Sequence, residues 1–272
     1  MESSLTTSLP KNDLSKSKLR PSLRLAALLL LVGQLLYIGI TILHTGGDAN
    51  HHPSIFESYA GSDSWKAVHL GQFVAVAILV GGLVTLVPAL ERRSGMTLWA
   101  ARLGAACAGA ALALYAVLQA VDGIALKQAV EAWVAAPAEE KAARYASAEA
   151  IRWLEWGTRS YHDYTLGLAL LLFGAAAWRT AWIPRPVGAL MGMSGLAFFA
   201  QGWILGVEGF SAAETWAILA AYVLNLVWMV WLAVAAWRMP ADPPQADGAR
   251  GATQFRGTRQ PDIASRAPRS GS

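Results

Sequence analysis

Between Lys66 and Glu91 the chain reads AVHLGQFVAVAILVGGLVTLVPAL (Ala67–Leu90), an interval without a single Asp, Glu, Lys or Arg. A helix needs roughly 20 apolar residues to cross a hydrocarbon core of about 30 Å. The run is continuous rather than alternating, which argues against the strand of a membrane barrel. Working outward, comparable stretches occupy Leu23–Leu43, Leu98–Val121, Tyr164–Trp182, Val187–Gly206 and Thr215–Trp237. Together with Lys66–Leu90 they make six predicted spans. The expected fold class is all-α: a polytopic membrane protein with six transmembrane helices, flanked by disordered cytoplasmic tails at 1–22 and 240–272.

Composition agrees with that reading. Of 272 residues, 55% are hydrophobic and 15% charged, where a soluble domain carries about a quarter charged residues; the mean hydropathy is +0.38. The lone cysteine, Cys107, allows no intrachain disulfide and no cysteine-built metal cluster. A net charge of +4 could point to nucleic acid, but no basic helix with interleaved aromatics accompanies it. Nucleic acid is therefore excluded as a partner.

The basic residues are distributed as topology requires. The amino tail with the start of the first span, the Glu91–Arg102 turn, the Trp178–Pro186 turn and the carboxyl tail from Arg238 hold 16 of the 22 basic residues and 6 of the 18 acidic ones. By the positive-inside rule this side is cytoplasmic and holds both termini. Trp99, Trp178, Trp182 and Trp237 fall at the expected inner interface, Trp65 and Trp216 at the outer one. The first apolar run exceeds a signal-peptide core and lacks a small-residue cleavage site after it, so it reads as a retained anchor.

From Asp122 to Asp163 the chain keeps a helical rhythm, broken only at Pro137. A helix from Leu98 to Ala136 would be roughly 58 Å long at 1.5 Å per residue, well beyond the bilayer core. An outward helical hairpin between the third and fourth spans follows, either projecting or bent onto the surface. Gly188, Gly192 and Gly195, and Gly104, Cys107, Ala108 and Ala111, make small-residue faces suited to close helix contact, within the chain or in a homo-oligomer.

Polar and ionisable groups at membrane depth are costly and prompt a functional question. His69 and Gln72 share one face; Tyr115, Gln119 and Asp122 follow at i, i+4 and i+7; Glu155, Arg159 and His162 repeat that spacing; Gln201 adds an amide. His69, Gln72, Gln119, Asp122, Glu155, Arg159, His162 and Gln201 are thus candidates for one outward-facing polar pocket, with Gln34 and Asn225 nearer the midplane. The opposing reading is equally concrete: Glu155 pairs with Arg159, Asp122 with Lys127 or Arg159, and the amides bond between helices. His69 and His162 also stand at similar predicted depth on different helices, as an axial haem pair would. His44, His51 and His52 belong to the outer loop, where the adjacent His51 and His52 lack the spacing for two ligands on one helix face. No metal site and no cofactor are assigned. His-Glu-x-x-His, Gly-x-Ser-x-Gly and the phosphate-binding glycine motifs are absent, so familiar hydrolytic and nucleotide mechanisms lack an anchor.

The segments Ala67–Phe73, Val121–Lys127, Arg152–Gly157 and Gln201-Gly202-Trp203 resemble those of a family of uncharacterised bacterial multi-pass membrane proteins, over residues 23 to 239. The resemblance implies a bacterial cytoplasmic (inner) membrane and no mechanism. Three functions follow as expectations: binding or passage of a small molecule or ion, haem or metal redox chemistry, or a non-catalytic scaffold for a membrane partner. The first leads, with the lipid bilayer and a small-molecule ligand as partners.

Overall fold

The computed structural model describes residues 13–90 and 95–239; the remainder of the expected tails, 1–12 and 240–272, lies outside the described residues. All regular structure among the described residues is helical. The elements are α1 (Asp13–Thr41), α2 (His52–Ala60), α3 (Trp65–Leu90), α4 (Met96–Ala120), a π-helical segment (Val121–Leu126), α5 (Lys127–Ala135), α6 (Lys141–Trp178), α7 (Arg185–Glu208) and α8 (Ala212–Arg238). Helix α1 starts ten residues before Leu23, inside the stretch read as tail.

Among the described residues, five helical stretches are long and apolar enough to cross a membrane: Leu19–Thr41, Trp65–Leu90, Met96–Ala135, Arg185–Glu208 and Ala212–Arg238. The third is a continuous path of 40 residues through α4, the π-helical segment and α5. Helix α6, with 38 residues, has a divided character. Its first half carries Arg144, Glu149, Arg152, Glu155 and Arg159, whereas Tyr164–Trp178 has no charged residue. It ends at Trp178 rather than Trp182, because a turn leads into Pro184, which precedes α7.

Glycine determines how closely these helices approach. A Cβ on Gly174 would lie 2.6 Å from the carbonyl oxygen of Gly188, and one on Gly195 would lie 2.6 Å from that of Gly167. At Gly202 it would meet the Ser160 carbonyl oxygen at 2.8 Å. Three levels of α6 and α7 are therefore in backbone contact, a spacing open only to residues without a side chain. The small-residue face of α7 is used within the chain. Gly33 and Gly82 do the same between α1 and α3, where a Cβ would meet Leu79 N at 2.6 Å and Leu30 Cγ at 2.8 Å respectively. Gly104 packs against Phe173.

Two apolar clusters result. The larger runs through the bundle and includes Leu30, Leu83, Tyr115, Phe173 and Trp228; a separate one joins α2, α5 and the first half of α6 through Ile55, Phe56, Tyr59, Trp65, Leu126, Val130 and Ala148. Lys127 braces the second cluster. Its ammonium donates to the carbonyls of Tyr59, Ala60 and Ser62 at 2.7–2.9 Å, at the carboxyl end of α2 where carbonyls lack helical partners.

Gly174→Val places a branched side chain against the backbone of α7 and is expected to cost about 1–3 kcal/mol or more, the usual penalty of overpacking. Gly109→Ala meets no atom within 4 Å and should leave stability unchanged or raise it by up to about 1 kcal/mol. Melting temperatures of the two variants in one detergent compare them directly.

Candidate functional site

The site begins where α4 passes into the π-helical segment. That distortion places Asp122 beside α3, and the backbone carbonyl of Asp122 accepts from Trp65 Nε1 at 3.1 Å. The neighbouring Gly123 is required by the approach: a Cβ there would sit 2.8 Å from His69 Cβ. His69 Nε2 then stands 2.9 Å from Asp122 Oδ2, while His69 Nδ1 lies 2.7 Å from the Trp65 carbonyl oxygen. His44, in the turn after α1, brings its ring centroid to 5.2 Å from that of His69 and 4.9 Å from that of Trp65. One ligating atom from each of His44, His69 and Asp122 lies within 4.8 Å of the other two. These three residues could hold a metal ion.

His44 and Asp122 form part of the wall of a cavity of about 300 Å³. Thr41 and Tyr37 of α1, Gln72 of α3, Gln119 of α4, Arg152, Glu155 and Arg159 of α6, and Glu214 and Tyr222 of α8 complete most of the lining. A loop from Thr45 to Ala49 closes one side and is fixed from both flanks. Arg152 donates to the Ala49 carbonyl at 3.1 Å. Asn50 donates to the Glu208 carbonyl at 3.0 Å and accepts from the Phe210 N–H at 2.9 Å.

Arg152 is the most heavily engaged side chain. It is 2% exposed, pairs with Glu155 at 2.5 Å, and lies with its guanidinium carbon 4.7 Å from the Phe210 ring centroid. Burial, reinforced by the Asp122 carboxylate and opposed by Arg152, pushes the Glu155 carboxyl up to about 7. Burial also raises the Tyr59 phenol and lowers the His44 imidazole below its usual 6.5.

Below this cavity a smaller one, about 40 Å³, has walls of Gln34, Tyr115, His162, Asp163, Phe198, Asn225 and aliphatic side chains. It is large enough for on the order of three waters. Tyr37, Arg159 and Tyr222 belong to both walls. Arg159 Nε is 3.9 Å from Asp163 Oδ2, and neither atom has a hydrogen-bond partner among the described residues. Asn225 ties the base together, donating to Gln34 Oε1 at 3.2 Å and accepting from Trp228 Nε1 at 3.0 Å.

Of the eight residues predicted for one pocket, Gln72, Gln119, Asp122, Glu155 and Arg159 line the larger cavity. His69 stands behind Asp122. His162 lines the smaller cavity, its Nδ1 2.9 Å from the Ala111 carbonyl oxygen. Gln201 donates to Glu214 Oε1 at 3.1 Å and reaches the cavity through it. The expected Glu155–Arg159 pair gives way to Glu155–Arg152 and Arg159–Asp163, because Arg152, one turn earlier, faces the cavity. Asp122 pairs with neither Lys127 nor Arg159, since Lys127 is committed to the end of α2.

Sequence reasoning missed His44, Tyr59, Arg152 and Glu214. Glu214 left a readable trace: Ser211 caps α8 by accepting from the Glu214 N–H at 3.2 Å, and the Ser-x-x-Glu spacing is visible in the chain. His44 left none, as its place depends on α1 ending beside α3.

Among the described residues, fold and site together define an all-helical protein with five stretches fit to cross a membrane and an ion-paired polar cavity. No protein-family model, characterised protein or solved structure matches the chain.

Arg152→Met leaves Glu155 buried without its partner and should destabilise the protein by about 3–5 kcal/mol, with part of the loss recovered in the Arg152→Met/Glu155→Gln double variant; thermal melts of the four proteins give the coupling. Glu155 also sets a pH dependence. Its carboxyl, held near 7 in the fold against an ordinary 4.5, binds its proton more tightly when folded, so its stabilisation is complete below about 4.5 and is lost as pH rises through about 7. The melting temperature should fall over that window, with a shallower fall in Glu155→Gln.

Proposed function

We propose that this chain is a protein of the bacterial cytoplasmic membrane with six transmembrane helices and both termini in the cytoplasm, whose larger cavity opens outward and binds a small polar molecule or ion. Support for α6 as the sixth span comes from its packing. Its Ser160–Trp178 half lies in backbone contact with α7 between Gly188 and Gly202, so wherever α7 crosses the bilayer, α6 crosses beside it. The first half of α6 then extends beyond the outer surface with α5 and α2 as a helical hairpin capped by its own apolar cluster. The excess of basic residues at 102, 179, 185 and 238 supports a cytoplasmic assignment for the opposite end of the helices. The bacterial setting is proposed from the sequence resemblance alone.

One observation carries the binding reading. Gln119 Oε1 and Asp122 Oδ1 are buried without a hydrogen-bond partner among the described residues, on the wall of a cavity that also holds Arg159. Such orphaned groups cost free energy that a bound ligand recovers. A haem held by His69 and His162 has less behind it. His69 Nε2 faces the Asp122 carboxylate on the wall of the larger cavity, whereas His162 lines the smaller one with its Nδ1 towards the Ala111 carbonyl.

Gln119→Cys in a Cys107→Ser background tests the orientation: a membrane-impermeant maleimide should label it in right-side-out spheroplasts, and labelling confined to inverted vesicles would reverse the topology. A panel of charged and zwitterionic small molecules tests the binding. A true ligand at 100 times its Kd stabilises the purified protein by about 2.7 kcal/mol, and Gln119→Leu should abolish that shift while keeping the unliganded melting temperature.

A further inference from the structure

We infer that His44, His69 and Asp122 form a binding site for a divalent transition-metal ion of the zinc type, set in the wall of the larger cavity. The tautomer of His69 is dictated by its own helix. Its Nδ1 lies 2.7 Å from the Trp65 carbonyl oxygen, and a carbonyl only accepts, so Nδ1 carries the proton. A neutral ring then presents Nε2 as a bare lone pair. Facing that lone pair at 2.9 Å is Asp122 Oδ2, and an ionised carboxylate also only accepts. Two acceptors at this distance call for positive charge at the contact, supplied either by a second ring proton or by a metal ion. Two neighbouring ligands of one ion, each bonded at about 2.0–2.2 Å, are themselves roughly 3 Å apart.

Three features favour the ion. His44 repeats the arrangement: its Nδ1 lies 3.0 Å from the Thr45 carbonyl oxygen, which leaves Nε2 as its lone-pair nitrogen. Both imidazoles therefore have the carbonyl support on one nitrogen that orients metal-binding histidines. Second, the three residues bring their ligating atoms within 4.8 Å of one another, so modest side-chain rotation brings them to a common ion. Third, Asp122 Oδ1 is buried with no hydrogen-bond partner among the described residues, as is Gln119 Oε1 on the same wall. A proton shared between His69 and Oδ2 does nothing for Oδ1, whereas a cation and its bound water satisfy it.

Two imidazoles and one carboxylate suit Zn²⁺, Co²⁺ or Fe²⁺, while Ca²⁺ and Mg²⁺ prefer oxygen ligands throughout. Three protein ligands leave a coordination position open towards the cavity. Asp122 is delivered by the π-helical segment, a distortion common at functional sites, and Gly123 gives His69 room to pack against it. The inference rests on the larger cavity being reachable from solvent, as proposed above, but on no organic ligand.

Cobalt is the test ion because its visible absorption reports its ligands. Full-length protein without a polyhistidine tag, purified in mild detergent and stripped with chelator, should bind one Co²⁺ per chain and release it to one equivalent of Zn²⁺. His44→Ala, in a turn outside the apolar bundle, and Asp122→Asn should each weaken binding roughly 100-fold or more while retaining a cooperative melt. His51→Ala should change nothing. Folded protein that takes up neither Co²⁺ nor Zn²⁺, or binding indifferent to His44→Ala, overturns the site and leaves a protonated His69–Asp122 pair. If stabilisation by a small polar molecule survives that result, the cavity reading stands without the metal; stoichiometric metal with no organic ligand isolates the metal site as the function of the cavity wall.

Discussion

Backbone contact between α6 and α7 is the constraint on which the rest of the structure depends. Gly167 and Gly174 on one helix meet Gly188 and Gly195 on the other at distances where a methyl group would collide with backbone atoms. That contact fixes the rotation and height of α6. Helix α6 in turn carries Arg152, Glu155, Arg159, His162 and Asp163, so one apolar seam determines where five ionisable groups stand. A small shift along it would separate Arg152 from Ala49 and Arg159 from the junction of the two cavities.

Once α6 is placed, electrostatics shape the remainder. Charges withdrawn from water must find partners or pay a penalty of several kcal/mol. Most find them: Arg152 with Glu155, His69 with Asp122, Lys127 with the end of α2, Glu214 with Gln201. Among the described residues ten buried side-chain polar atoms lack a hydrogen-bond partner. Six of them, on Tyr115, Gln119, Asp122, Arg152, Arg159 and Asp163, belong to residues lining one or other cavity, whereas those on Arg20, His52, Trp156 and Gln201 do not.

The helices themselves were legible from one-dimensional pattern. Ala67–Leu90 needs no tertiary context to declare itself, because burying that much apolar surface is favourable against lipid or protein alike. The candidate site was legible in part. Gln119 and Asp122, or Glu155 and Arg159, announce themselves as polar groups at helical spacing beside apolar runs. Which of them pair was not readable, since i, i+3 and i, i+4 partners are equally available along one helix. Glu155 chose Arg152 over Arg159 because of what stands opposite, the Ala49 carbonyl, Tyr59 and Phe210.

By itself the sequence determined that this chain is helical, apolar and built around long membrane-length segments, because period, length and charge distribution are local properties. Only the tertiary structure decided that His44 joins His69 and Asp122. The three lie on α1's terminal turn, α3 and the π-helical segment. No spacing rule links them, and their meeting depends on where α1 ends, α3 begins and α4 passes into the π-helical segment. The π-helical turn was equally hidden, since an extra residue in one helical turn costs little locally and is selected by what it allows to touch: here Gly123 against His69, with the Asp122 carboxylate turned into the same corner.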